Sequence, residues 1–392
     1  MPRPRPRRGI VAALLVGALV LPSPAWADWP QFHGGPARLG VSGDRAISRR
    51  NAGRLKVVWS HATGRSAEGV NSSPAVTGGT VYVGSDDGRL WAFEARGGAV
   101  RWSRKTGGAV ESSPAVAKGR VFVGSESGSV FAFGAERGHV KWKRRLGGLI
   151  TASPLVAAGK VFIGSRGGTF YALNARTGRI KWKRNTWSVW DGAAYRHGTV
   201  YVGSDRERVY ALNAKTGRLR WVKKVAGRVR GTPAVTKKRV YVGTDRGQLV
   251  ALDRRTGARR WAARAVERGK GVVRCAPAVA GGRVYISVAV VKPMDGKVKA
   301  YSARTGRLQW KAELADYATS SPAVANGLVY VGSFDHRLYA ISTKSGAEVW
   351  TSGWQYEGGF FDRGISSSPA IARGRIFVGV RDGRVYALGV RH

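Results

Sequence analysis

The side chains that most often carry catalysis are few in this chain and poorly spaced for it. Six histidines stand at 33, 61, 139, 197, 336 and 392, and no two share the short spacing of a metal-ligand pair. Cys275 is the only cysteine, so neither an intramolecular disulfide nor a cysteine metal cluster can form. It precedes an apolar stretch and reads as a small buried hydrophobe. There is no nucleophile elbow, no phosphate-cradling glycine loop and no Asp-rich calcium loop joining helices. Asp86, Asp87, Asp205 and Asp245 follow a glycine at a strand end, where a turn explains them more simply than catalysis. No catalytic residue and no metal ligand is assigned.

What remains is the chemistry of binding. Asn71, Glu111, Trp190, Asp191, Arg230 and Arg274 interrupt a series of small hydroxyls at equivalent positions, such as Ser72-Ser73 and Ser112-Ser113. Their mixture of charge and hydrogen-bonding groups suits a site for a polar ligand, or a set of groups bound to one another and to water. A second cluster lies in the stretch 353–364, where Trp354, Tyr356, Phe360, Phe361 and Asp362 stand among glycines. It would serve as a contact patch if exposed, and as a plug if folded over a channel. Trp187 and Trp190 raise the same question on a smaller scale.

The elements that position these residues are repeats. One copy runs Ser153-Pro154-Leu155-Val156, Val161 to Ser165, Phe170 to Ala175 and Thr177 to Trp182. Each block is short, rich in β-formers and bounded by Gly, Asn or Ser, which predicts four strands, A to D. Strand A carries a proline at 74, 114, 154, 233, 277, 322 and 369, with Ala193 in the fourth copy. Strand B carries a glycine at 84, 124, 164, 203, 243, 332 and 379, with Ser287 in the sixth. Strand C carries an alanine in all eight copies, from Ala92 to Ala387. Strand D carries Trp59, Trp102, Trp142, Trp182, Trp221, Trp261, Trp310 and Trp350. Trp59 precedes every A, B and C strand, and the sequence ends after an eighth strand C. These markers predict an all-β protein: an eight-bladed β-propeller of four-stranded antiparallel blades, its ring closed by the N-terminal strand ending at Trp59. The tryptophans are assigned to packing between blades.

In such a ring the A–B and C–D turns share one face, and the B–C loops and D–A crossovers share the other. The long crossovers before blades 1, 6 and 8 and the stretch from Ser287 to Lys297 fall on the second face. That face is expected to carry function, with the residues entering strand A around the channel mouth.

Residues 1–27 read as a secretory signal peptide: arginines at 3, 5, 7 and 8, an apolar run, and Ala25-Trp26-Ala27. An uncleaved anchor is the alternative. Residues 28–50 form a lead-in and 51–392 the propeller. A secreted or extracytoplasmic location in the cell envelope follows. The 67 Lys and Arg against 23 Asp and Glu give a formal charge of +44, which becomes +40 once the four leader arginines are removed. Such a surface attracts polyanions, or is a basic solvated shell with no selected partner.

The stretch Ala172 to Trp182 resembles the tryptophan-docking motif of pyrroloquinoline quinone (PQQ)-type propeller repeats. Similar stretches end at Trp221, Trp261 and Trp350, and Trp29-Pro30-Gln31-Phe32-His33-Gly34-Gly35 resembles the lead-in of secreted members. The resemblance implies one of two kinds of protein. Quinoprotein dehydrogenases hold PQQ over Ca²⁺, and their alcohol-dehydrogenase branch uses a disulfide between adjacent cysteines, which one cysteine cannot make. The non-enzymatic branch includes the propeller lipoprotein of the outer-membrane barrel assembly machinery, which this chain resembles in length and compact blades. The expected function is a non-catalytic binding or scaffold propeller for an envelope protein or anionic polymer. It is expected to act as a monomer, with nucleic acid disfavoured, no cofactor and no transmembrane segment after leader cleavage. The alternative is a PQQ-dependent alcohol or sugar oxidoreductase, with Ca²⁺.

Overall fold

The computed structural model describes residues 27–64, 69–267, 269–291, 295–353 and 364–390. Residues 1–26, nearly all of the expected leader, lie outside them, as do Trp354, Tyr356, Phe360, Phe361 and Asp362. Eight antiparallel sheets form eight blades. Blade 3 shows the pattern: strand A Leu155–Ala157, B Lys160–Gly164, C Thr169–Asn174 and D Ile180–Asn185. Strands B and C are buried almost throughout, because each blade is covered by a neighbour on both sides. Blade 8 takes its outer strand from the other end of the chain. Leu55–Ala62 pairs antiparallel with Arg384–Val390, with Trp59 opposite Ala387. Among the described residues no helix is long and apolar enough to cross a membrane.

Two contacts dock each blade on the next. In the first, the strand D tryptophan lies on the following C–D turn. Its indole N–H donates to a turn carbonyl, as from Trp59 to Ala95 at 3.1 Å and from Trp142 to Ala175 at 3.1 Å. The turn glycine lies under the ring. At Gly98, Gly138, Gly178, Gly217, Gly257, Gly306 and Gly346 an added Cβ would meet a docked indole at 2.5–2.8 Å, and φ is +67° to +78°. Only glycine meets both conditions without strain. In the second contact, the strand B glycine receives the residue four positions before the next strand A proline position. A Cβ on Gly84, Gly124, Gly164, Gly203, Gly243, Gly332 or Gly379 would meet Val110, Ile150, Val189, Val229, Val273, Ile365 or Val70 at 2.3–2.4 Å. Blade 6 has Ser287 in place of the glycine, and the residue at the receiving position is Ala318 rather than a valine or isoleucine. A larger residue on one side is matched by a smaller one on the other, so volume is conserved.

Blade 6 also corrects one expectation. The stretch from Ser287 to Lys297 is a lengthened hairpin rather than a long loop. Strand B runs Arg283–Val290, strand C runs Asp295–Ser302, and they pair in register out to Val290 opposite Asp295. Gly271–Val272 in the preceding crossover adds a further strand beside them. Cys275 is buried there, and burial pushes its thiol up to about 11.

The lead-in closes one end of the channel. Strand A is the inner edge of every blade, and the residue two after its proline position points an N–H into the channel. Residues 29–40 circle the floor and accept these donors in turn. Val76 bonds Trp29 O at 2.8 Å, Val116 bonds Pro30 O at 2.7 Å, and Val156 bonds Gln31 Oε1 at 3.1 Å. Tyr195, Val235, Val279 and Val324 follow, on Pro36, Ala37, Leu39 and Gly40. At blade 8, Ser42 Oγ donates to Ile371 O at 2.8 Å. Arg38 is fully buried and donates to the carbonyls of Pro154 at 2.8 Å, Ala193 at 3.1 Å and Phe32. Burial lowers its guanidinium to about 9, against the pull of Asp191.

His33 is buried beside it, with Nδ1 3.0 Å from Arg38 O and Nε2 2.7 Å from Pro322 O. The two carbonyls favour a protonated ring, but burial outweighs them and lowers the imidazole to about 4.

Two predictions follow from this packing. Ala318→Val should destabilise the fold, and adding Ser287→Gly should recover most of the loss. The coupling should be about 1–2 kcal/mol in a denaturant double-mutant cycle, whereas additive losses would contradict the matched pair. The second prediction concerns pH. Below about 6.5 the unfolded chain protonates His33, but the folded chain refuses that proton until about 4. The His33 contribution to stability should therefore fall across this window and level off beneath it. His33→Gln should remove about 3 kcal/mol of that pH dependence, measured by urea unfolding at several pH values.

Candidate docking site at the channel mouth

The other end of the channel opens as a vestibule of about 440 Å³, with Phe32 of the lead-in among its lining residues. The hydroxyls leading into strand A line it, but most are engaged as backbone acceptors. The N–H of Ser321 bonds Ser368 Oγ at 2.9 Å, that of Ser368 bonds Ser73 Oγ at 2.8 Å, that of Ser73 bonds Ser113 Oγ at 3.0 Å, and that of Ser113 bonds Ser153 Oγ at 3.1 Å. With the N–H of Ala276 on Ser321 Oγ at 2.9 Å, this belt ties blade 6 to blade 3 through blades 7, 8, 1 and 2. It changes at blades 4 to 6, where Gly192, Thr232 and Ala276 hold the equivalent positions. There Thr232 Oγ1 accepts from Gly192 N at 2.8 Å, and Asp191 reaches across to accept from Thr232 N at 3.0 Å.

The residues that interrupt the hydroxyl series gather on this stretch and beside it. Trp190 is the centre. Arg166 covers one part of its ring at 3.9 Å from the centroid and Arg230 lies at 4.5 Å, while its indole N–H donates to Asp205. Arg230 sits between Asp205 at 3.1 Å and Asp245 at 3.4 Å. Asp245 also accepts from Arg274 at 3.0 Å, and Arg166 faces Glu111 at 4.0 Å. The network thus runs from Glu111 to Arg274 across blades 2 to 6. Asn71 lies apart from it, donating to Asp86 at 2.9 Å and accepting from Ser366 at 2.6 Å.

Three members of the network, Arg166, Asp205 and Asp245, went unrecognised in the sequence. They stand two residues after the strand B glycine in blades 3, 4 and 5, a position that reads as a turn. The available signal was the repeat itself: each faces the crossover residue of the next blade, and those residues are Trp190, Arg230 and Arg274.

Burial raises the Asp191 carboxyl, while its bonds from Thr232 and the charge of Arg38 pull it back. Every carboxylate of the network therefore has a named partner. A Ca²⁺ ion needs six to eight oxygen donors at 2.3–2.6 Å. Here it would have to displace Arg230, Arg274 or Arg166 from their carboxylates and then lie among those guanidinium groups. Among the described residues no three His, Cys, Asp or Glu side chains are grouped to hold a metal. The residues present do not fit a quinone held over calcium.

Eight antiparallel blades, seven of four strands and one of five, with tryptophan docking and a paired N-terminal strand, define a propeller of the PQQ-like repeat class. The family model described as outer membrane protein assembly factor BamB matches residues 105–189, 184–289 and 294–391, and the chain belongs to that family. No curated protein sequence matches it. Among solved structures, BamB from Moraxella catarrhalis is 19% identical with a TM-score of 0.71, covering 86% of this chain and 98% of its own. The quinohemoprotein alcohol dehydrogenase ADHIIG from Pseudomonas putida HK5 is 17% identical with a TM-score of 0.78, covering 93% and 80%. The computationally designed Ika8 protein is 16% identical with a TM-score of 0.70, covering 83% and 98%. At these identities the likeness is one of fold.

Two pairs of the mouth network should differ in energy. Arg230 and Asp205 are largely shielded, so an Arg230→Ala, Asp205→Ala cycle should give a coupling of about 1–3 kcal/mol. Arg166 and Glu111 are about a third exposed at 4.0 Å, and their cycle should give less than about 1 kcal/mol. Equal couplings would contradict a network anchored at Arg230.

Proposed function

We propose that this protein is a non-catalytic binding propeller of the cell envelope, exported by its leader, with the loop-bearing face as a docking surface. The observation that carries this reading is the state of the mouth: its acids are held by arginines, an indole and a backbone N–H, around a tryptophan packed against two guanidinium groups. Groups committed in this way give a rigid, chemically varied rim. Among the described residues they leave no carboxylate set for a cation. Membership of a family described by an outer-membrane assembly factor supports a protein partner in the envelope.

A second reading, a PQQ-dependent alcohol or sugar oxidoreductase, draws on one feature of the same site. Arg166, Arg274 and Trp190 offer guanidinium groups and a planar ring in a vestibule large enough for a flat polycarboxylate. The reading requires the network to rearrange around Ca²⁺.

Titration of the mature protein with PQQ and Ca²⁺ separates the two. A ligand that binds the native state raises the melting temperature by mass action. The docking reading predicts no saturable shift and no alcohol- or sugar-dependent dye reduction. A saturable shift abolished by Arg274→Ala would establish the oxidoreductase instead.

A further inference from the structure

We infer that the outer wall of blades 1 to 5 is a binding track for a flexible phosphate-chain polyanion. The inference rests on the binding-propeller reading and names a partner class and a place for it. The track consists of five consecutive strand D edges: Val100–Lys105, Val140–Arg145, Ile180–Asn185, Leu219–Lys224 and Arg259–Arg264. The second strand carries four lysines and arginines and each of the others three, sixteen in all, with no acid among them. Thirteen of the sixteen are exposed, and Arg144, Arg184 and Lys223 are partly so. Among the described residues only Arg260 makes an ion pair, to Asp253 at 2.7 Å.

The remaining three edges differ. Leu308–Leu314 has Lys311 and Glu313, Glu348–Thr351 has Glu348, and Leu55–Ala62 has Lys56. Lys311 and Glu313 pair with each other at 3.2 Å. Exposed edge strands need charge to resist pairing with other chains. That need applies to all eight blades, yet the excess is confined to five neighbours. Edge protection alone does not account for such an arc.

The shape of the arc selects the partner. In a ring of eight blades, five neighbouring edge strands span about 180° of a convex wall from the first to the last. A flat membrane touches such a wall at one or two blades. Duplex DNA, stiff over about 150 base pairs, likewise departs from it. A flexible linear chain can follow it. Single-stranded nucleic acid also needs aromatic platforms for its bases. The exposed large apolar residues on these strands are aliphatic: Val100, Val140, Ile180, Leu219 and Val222. The tryptophans of the same strands are turned into the blade interfaces. The wall therefore matches a chain of phosphates without bases.

The test uses the full mature protein and long-chain inorganic polyphosphate as the probe, with binding followed across a salt series. Lys141, Lys143, Lys181 and Lys183, all replaced by Gln, remove four charges from the track. Arg304, Arg307, Lys311 and Lys344, all replaced by Gln, remove four from blades 6 and 7. The first variant should bind about tenfold or more weakly at 0.1 M salt and show a shallower salt dependence, whereas the second should stay within about twofold of wild type. Melting temperatures within a few degrees of wild type would exclude unfolding as the cause. Equal losses in both variants, or no binding of polyphosphate at physiological salt, would overturn the track. Tighter binding to duplex DNA, to a single-stranded oligonucleotide or to anionic phosphatidylglycerol vesicles would overturn the choice of partner. None of these outcomes bears on the mouth, whose reading stands or falls with the PQQ and Ca²⁺ titration.

Discussion

The inner edges of the blades impose the constraint on which the rest of this structure depends. Eight strands A converge on one channel, and each turns an edge N–H toward its axis. A buried amide without a partner costs about 1–3 kcal/mol, so a ring of them would be a heavy burden on a marginally stable fold. The lead-in relieves most of this burden by circling the floor and accepting seven of those donors in blade order; at the eighth blade Ser42 Oγ instead donates to the Ile371 carbonyl. The buried Arg38 fastens this circuit to the ring, donating to the lead-in carbonyl of Phe32 and to the carbonyls of Pro154 and Ala193 in blades 3 and 4. The same arrangement decides what the mouth can be. With Phe32 among the residues lining it, the channel is a shallow vestibule rather than a passage.

Much of the ring was legible because it is periodic. Pro, Gly, Ala and Trp recur in register, and each marks a contact that every blade must make. The closure of blade 8 by the strand at Trp59 followed from the same count, and the strand pairing bears it out. The floor was illegible because residues 29–42 belong to no repeat; their partners are backbone amides scattered over 250 residues, which leave no pattern in side-chain type. Of the match between Ser287 and Ala318 only the departure at Ser287 was visible, and the glycine contacts of the other blades were needed to point to Ala318. At the mouth the sequence located an unusual stretch but not its organisation. The serines there read as a plain series of small hydroxyls but serve as acceptors between blades, and Asp205 and Asp245 read as turn residues but hold Arg230.

The fold leaves chemistry open. An alcohol dehydrogenase, an assembly factor and a designed protein all resemble this ring at under 20% identity. Such a scaffold fixes where loops and edges stand and leaves function to the residues placed there. In this chain the mouth acids are paired with arginines, whereas the outer wall of five blades carries cations with hardly any counter-charge. The net charge is thus organised: balanced where residues must pack around the channel mouth, and unbalanced on an outer wall with room for a partner.

The floor is tested most directly by amide hydrogen exchange of the mature protein, followed at the strand A segments containing Val76, Val116, Val235, Val279 and Val324. In the intact chain these amides should exchange as slowly as the strand B core, because opening them requires the lead-in to leave the channel. After deletion of residues 28–44 they should exchange rapidly in all five blades together, even where strands B and C stay protected. Rapid exchange of these amides in the intact protein would contradict the account.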